Sequence, residues 1–88
     1  MKILATLKRA LELVNASRNS AWAGGRVQQF AAELEAVIAA LESQRAFDRD
    51  ELRVLFAPTG PLQDLSLDNG WGDEFLSLAE RVDAFLAD

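Results

Sequence analysis

Val27, Phe30, Leu34, Val37, Ile38 and Leu41 fall at offsets 0, 3, 7, 10, 11 and 14. An α-helix turns once every 3.6 residues, so these six side chains share one face. A strand, with a period of two, would scatter them over both sides. A helix with one apolar face must bury that face against another element. The rest of the chain supplies more of the same. Ile3, Leu4, Leu7, Ala10, Leu11 and Val14 stand at offsets 0, 1, 4, 7, 8 and 11, and Phe75, Leu78, Ala79, Val82 and Leu86 at 0, 3, 4, 7 and 11.

These patterns predict helices over residues 2–16, 20–43, 49–57 and 73–87. The second start is open to two readings, because Gly24 and Gly25 each cost about 1 kcal/mol against alanine inside a helix. Either the helix begins after Gly25, or the pair allows close approach near Trp22, which is the preferred reading. Asp48 with Glu51 three residues on reads as an N-cap and capping box. Pro58 disfavours helical geometry at Ala57. Asp73 and Glu74 lie at the start of the last helix, where its dipole favours negative charge. Eighty-eight residues leave no room for a second core. The expected fold is all-α: a compact four-helix bundle-like single domain over 1–88. It has three long helices, one short one, and an ordered loop before the last.

That loop, Pro58 to Gly72, stands apart in composition. Gly60 and Pro61 punctuate it, Asp68-Asn69-Gly70 is a turn signal, and Leu62, Leu65 and Leu67 read as anchors onto the core. A short extended piece at Leu65–Leu67 finds no pairing strand. An anchored loop is where a small helical protein can act specifically. Phe30, Phe56 and Phe75 lie on apolar faces and read as core. Trp22 and Trp71 lie near loops, as does Phe47 in the connector before the third helix. For Trp71, packing of the loop onto the bundle is the first reading. A partly exposed binding anchor is the second, since tryptophan is enriched at binding hot spots.

Histidine, cysteine and tyrosine are absent. Ser-His-Asp and Cys-His catalysis are thereby excluded, as are disulfides and thiol chemistry, and zinc loses its usual ligands. General acid–base work would fall to carboxylates, lysines or water. A carboxylate-dependent hydrolase would require two acids facing one cavity. A calcium loop also fails. With Asp64 at its first position, the sixth is Asn69 instead of glycine and the twelfth is Phe75 instead of glutamate; with Gly70 sixth, the first is Leu65. Gly24-Gly25-Arg26 lacks the spacing of a phosphate-binding loop. No catalytic residue, cofactor or metal is expected.

The net charge is −5 and unevenly spread. Residues 1–26 hold five cations against Glu12, whereas residues 27–88 hold thirteen carboxylates against four arginines. Either the first helix lies against acidic neighbours and the fields cancel, or an acidic face steers a basic partner. An isoelectric point near 4.6 argues against nucleic acid. No apolar run approaches the ~20 residues that cross a bilayer. Lys8, Arg9 and Glu12 interrupt the apolar start before a secretory leader of ~7–15 apolar residues develops. A cytoplasmic protein without membrane contact is the expectation.

Trp22, the 27–41 pattern and Leu55-Phe56-Ala57-Pro58-Thr59-Gly60-Pro61-Leu62-Gln63-Asp64-Leu65, followed by an aromatic-leucine helix, resemble a group of small bacterial helical domains of unknown function. That group carries a Gly-Met-Gly-Ser segment, then leucine or phenylalanine, then Asn-Asp-Leu. Gly60, Leu62, Asp64 and Leu65 correspond; Pro58, Thr59, Pro61 and Gln63 depart from it. The resemblance spans most of the chain and implies no activity. Small acidic proteins of this sort include immunity proteins of bacterial toxin systems, which is an analogy of type.

The sequence therefore reads as a non-enzymatic protein-binding module, of immunity type where its basic partner is a toxin. Asp64, Asp68 and Glu74 would form a charged rim and Trp71 an apolar anchor, with Gly60 and Pro61 setting the loop geometry. A structural homodimer packing through the alanines of the second helix is the alternative, and a hydrolase is another.

Overall fold

A computed structural model describes residues 2–17, 26–57 and 60–87. Five helices follow in order: α1 Lys2–Ala16, α2 Arg26–Glu42, α3 Arg49–Leu55, α4 Pro61–Asp68 and α5 Gly72–Ala87. The expectations for Trp22 and the Gly24-Gly25 pair fall outside the described residues. The all-helical reading holds, but the architecture is three long helices and two short ones. The expected four helices with a loop at 58–72 need correction. Residues 61–68, including the piece considered as extended, are helical.

Pro61 explains the difference. It occupies the first turn of α4 behind Gly60 as N-cap, where a missing N–H costs nothing and the fixed φ already suits a helix. The same proline that reads as loop punctuation therefore opens a helix. At the other end Gly70 adopts φ +81, and the Trp71 N–H donates to the Ser66 carbonyl at 2.9 Å. This is the six-to-one bond of a Schellman close. The chain ends α4, turns, and enters α5 within three residues.

The remaining ends follow local chemistry. Asp48 caps α3, its Oδ1 accepting from the Glu51 N–H at 3.0 Å, as the spacing predicts. α2 closes with Gln44 at φ 56, the Arg45 N–H donating to the Ala40 carbonyl at 2.7 Å. That is a second Schellman close, with glutamine in the position glycine usually holds.

One hydrophobic core receives side chains from all five helices. Leu7, Val14, Leu34, Leu52, Leu78 and Val82 lie at its centre, fully buried. The radius of gyration, 12.1 Å, equals the roughly 12 Å expected of a compact chain of this length. α1 packs on α2 and on α5. Arg9 of α1 reaches Glu74 near the start of α5, while the first turn of α1 lies by the last turns of α5, so the two helices are antiparallel. Lys8 meets Glu42 at 3.1 Å and ties the end of α2 to the middle of α1.

Candidate functional site

The α4–α5 corner is built from underneath. Leu62, Leu65 and Ser66 point α4 into the core, and Phe75, Leu78 and Val82 do the same for α5. Trp71 lies in the corner itself and is 8% exposed. Its ring meets Phe75 edge-on, with centroids 6.4 Å apart. Its indole Nε1 donates to Ser17 Oγ at 2.8 Å. The first reading of Trp71, packing of this segment onto the bundle, describes its position; its side chain offers little surface to a partner.

The other three residues singled out from sequence divide between two flanks. Asp64 and Asp68 stand four residues apart on the exposed side of α4, so they share a face. Glu74 lies on the α1-facing flank of α5. Arg9 grips it with two bonds, Nε to Oε2 at 2.6 Å and Nη2 to Oε1 at 3.0 Å. This forked pair holds the Glu74 carboxyl below its ordinary value, chiefly through the Arg9 hydrogen bonds, and raises the Arg9 guanidinium correspondingly. Sequence reasoning grouped Glu74 with Asp64 and Asp68; the helix geometry separates them.

Two leucines stand out where the expectation was burial or silence. Leu67 is 64% exposed, which corrects its reading as a core anchor, and Leu76 is 55% exposed. They lie on one side of the α4–α5 corner. A Cβ placed on Gly72 would stand 2.9 Å from Leu67 Cδ2, so Leu67 lies over Gly72. Leu76 is one turn along α5 on that same side. Asp64, Asp68, Asp73 and Glu80 lie exposed on the same two helices. Asp64, Asp73, Glu80 and Asp83 make no ion pair among the described residues. The signal for this patch was in the sequence: Leu67 is out of step with Leu62 and Leu65, and Leu76 with Phe75, Leu78 and Val82.

The charge distribution sharpens the picture. Residues 61–87 carry six carboxylates against Arg81 alone, a net of −5. The other residues hold eight cations and eight carboxylates, so the excess charge of the whole chain resides on α4 and α5. On this unit α1 engages Glu74, through Arg9.

Two shallow grooves flank this region. One, of about 430 Å³, is lined by Phe30, Leu55, Val54 and Pro61 with Glu33, Asp48, Asp50 and Glu51. Three of its four acids are engaged locally: Asp48 caps α3, Asp50 accepts from Arg53 at 2.7 Å, and Glu33 accepts from Gln29 at 3.4 Å. Val54, in its wall, is 62% exposed. The second groove, of about 780 Å³, runs between α1 and α5. Among the described residues, no cluster of acids has the arrangement of a metal site, and no helix is long and apolar enough to cross a membrane. No family model, curated protein or solved structure matches this chain.

Proposed function

We propose that this protein works by binding a basic protein through the exposed face of α4 and α5. The observation that carries the reading is the pairing of Leu67 with Leu76 at the centre of the segment that holds all the excess negative charge. An apolar centre inside a charged rim is the anatomy of a protein interface, with the centre supplying affinity and the rim supplying steering and selectivity. Asp64, Asp68 and Glu80 form the rim. Trp71 acts from below, holding the corner that presents Leu67 against α5. Asp48, Asp50 and Glu51 of the α3 groove are exposed to water and Glu33 is only half-buried, whereas a catalytic acid is tuned by burial, so binding is favoured over hydrolysis.

Where the partner is a toxin, the protein is of immunity type, and a gene for a small basic toxin is expected beside its own. The direct test is site-specific photo-crosslinking in the cells that make the protein. A benzophenone amino acid at position 67 or 76 is expected to capture one basic protein, and the same group at the exposed Glu35 of α2 is not. Capture is expected to fade as salt rises past the range where a Debye length of about 8 Å screens the rim. Equal capture from position 35, or an acidic partner, defeats the reading.

A further inference from the structure

The groove between α1 and α5 has a chemistry opposite to that of the acidic face. Its floor is Ile3, Thr6 and Phe85, and its rims carry Lys2 and Ala5 on α1 with Arg81 and Ala84 on α5. The floor is apolar and fixed. Ile3 and Thr6 are buried, and the Thr6 hydroxyl donates back to the Lys2 carbonyl at 3.1 Å. Phe85 is held by stacking on Phe47, centroids 6.1 Å apart, and by the Arg49 guanidinium 5.7 Å from its ring centre. Arg49 is itself tied to the Leu86 carbonyl at 2.8 Å.

The two rim cations are among the cations of this chain that hold no carboxylate among the described residues. Lys8, Arg9 and Arg53 each sit within 3.3 Å of a carboxylate. Lys2 and Arg81 have no ion pair among the described residues. Glu74, whose charge Arg81 also favours, is already held by Arg9.

The geometry points to a binding site for a small amphiphilic anion, with an apolar body on Ile3 and Phe85 and a carboxylate or phosphate head between Lys2 and Arg81. Size selects this occupant. The groove's about 780 Å³ falls within the range of small-molecule sites, roughly 300–1,000 Å³. Its walls span Lys2–Thr6 and Arg81–Phe85. Four residue steps of helix give roughly 6 Å of wall. A docked helix makes contacts at i, i+3, i+4 and i+7, about 10 Å of length, and overruns such a wall. Toward the middle of the pair, the Arg9–Glu74 bridge spans α1 and α5 and marks the limit. This inference rests on a different face and different residues from the acidic docking surface, and neither depends on the other.

Titration of the intact protein with sodium hexanoate and hexyl phosphate, whose alkyl chains are no longer than the wall, followed by amide NMR, tests it. Saturable shifts centred on residues 2–6 and 81–85 are expected with either anion. Hexanol, which has the chain without the charge, is expected to bind at least tenfold more weakly. Arg81→Glu and Lys2→Glu change exposed side chains, so the helical circular dichroism is expected to persist while hexanoate affinity falls tenfold or more. Ala84→Trp fills the groove with the charges intact, and is expected to abolish the shifts. Hexanol binding as well as hexanoate, shifts centred elsewhere, or no saturation by about 5 mM would each overturn the proposal.

Discussion

Trp71 and Ser17, 54 positions apart, are joined by a buried hydrogen bond of 2.8 Å from the indole Nε1 to the serine Oγ. Ser17 passes the bond on, its hydroxyl donating to the Leu13 carbonyl at 2.7 Å. Ser17 is 1% exposed, so this short relay lies away from water. It links the C-terminal end of α1 to the α4–α5 corner. Ser17→Ala strands the indole N–H and is expected to cost about 1–3 kcal/mol. In a Trp71→Phe background that donor is already gone, so the same substitution is expected to cost roughly 1 kcal/mol less. Urea denaturation of the two single variants and the double variant measures the coupling; strict additivity would mean that the bond contributes nothing.

Gly60 is required by its neighbours and not by its torsions, since its φ of −89 is open to any residue. A Cβ there would stand 2.6 Å from the Val54 carbonyl oxygen and 3.1 Å from that of Ala57. Backbone cannot swing aside as a side chain can. Gly60→Ala is therefore expected to destabilise by about 1–3 kcal/mol, as overpacking generally does. Gly72→Ala meets only the end of the Leu67 side chain, at 2.9 Å, and is expected to cost less. The ranking of the two denaturation midpoints is the check.

Gln44 holds φ 56 at the close of α2. A left-handed conformation costs a side-chain-bearing residue about 1–2 kcal/mol, and glycine's extra freedom when unfolded takes back part of the gain from replacing it. Gln44→Gly is expected to stabilise the fold by about 0.5–1 kcal/mol. A thermal midpoint that falls would contradict the Schellman reading of this turn.

The Arg9–Glu74 pair gives the stability an acid limb. The Glu74 pKa in the folded protein lies below its ordinary value of 4.5, because Arg9 bonds the charged form. The stabilisation from this lowered pKa is complete above about 4.5, where the carboxylate is ionised even in the unfolded chain. It is lost as the pH falls through the lower folded value. Glu74→Gln is expected to flatten that part of the stability–pH curve and to leave its shape near neutral pH unchanged. An unaltered acid limb in the variant would show that the pair contributes no linkage.

The α4–α5 face also makes a prediction about self-association. Two copies meeting through Leu67 and Leu76 would bring two segments of net −5 together, and the repulsion grows as salt is withdrawn. Sedimentation at micromolar concentration and low salt is expected to show a monomer. Leu76→Glu, at an exposed position, is expected to leave folding stability within about 0.5 kcal/mol while abolishing partner capture. A dimer at low salt that Leu76→Glu dissociates would assign this face to self-association instead.

Much of the fold was legible without coordinates. The helical faces of α1, α2 and α5 follow from a period repeated over three or more turns, and the Asp48 cap from one residue type at the right distance from Glu51. α4 was not legible, because eight residues give barely two turns of pattern and its opening proline resembles a loop breaker until its position at the helix start is known. Of the residues singled out for a partner, Asp64 and Asp68 stand on one exposed face of α4, which their spacing makes legible once the helix is known. The place of Glu74 depended on where Arg9 lay, 65 residues away in sequence.

Sequence alone determined that this chain is helical, that it has neither histidine nor cysteine for catalysis, and that its second half is acidic, because composition and helical period are local properties. Only tertiary structure decided that Trp71 turns inward to Ser17 and that Leu67 turns outward over Gly72. It also left Lys2 and Arg81 across an apolar groove. Each of these depends on which distant segment lies opposite, and the packing of helices against one another chooses that.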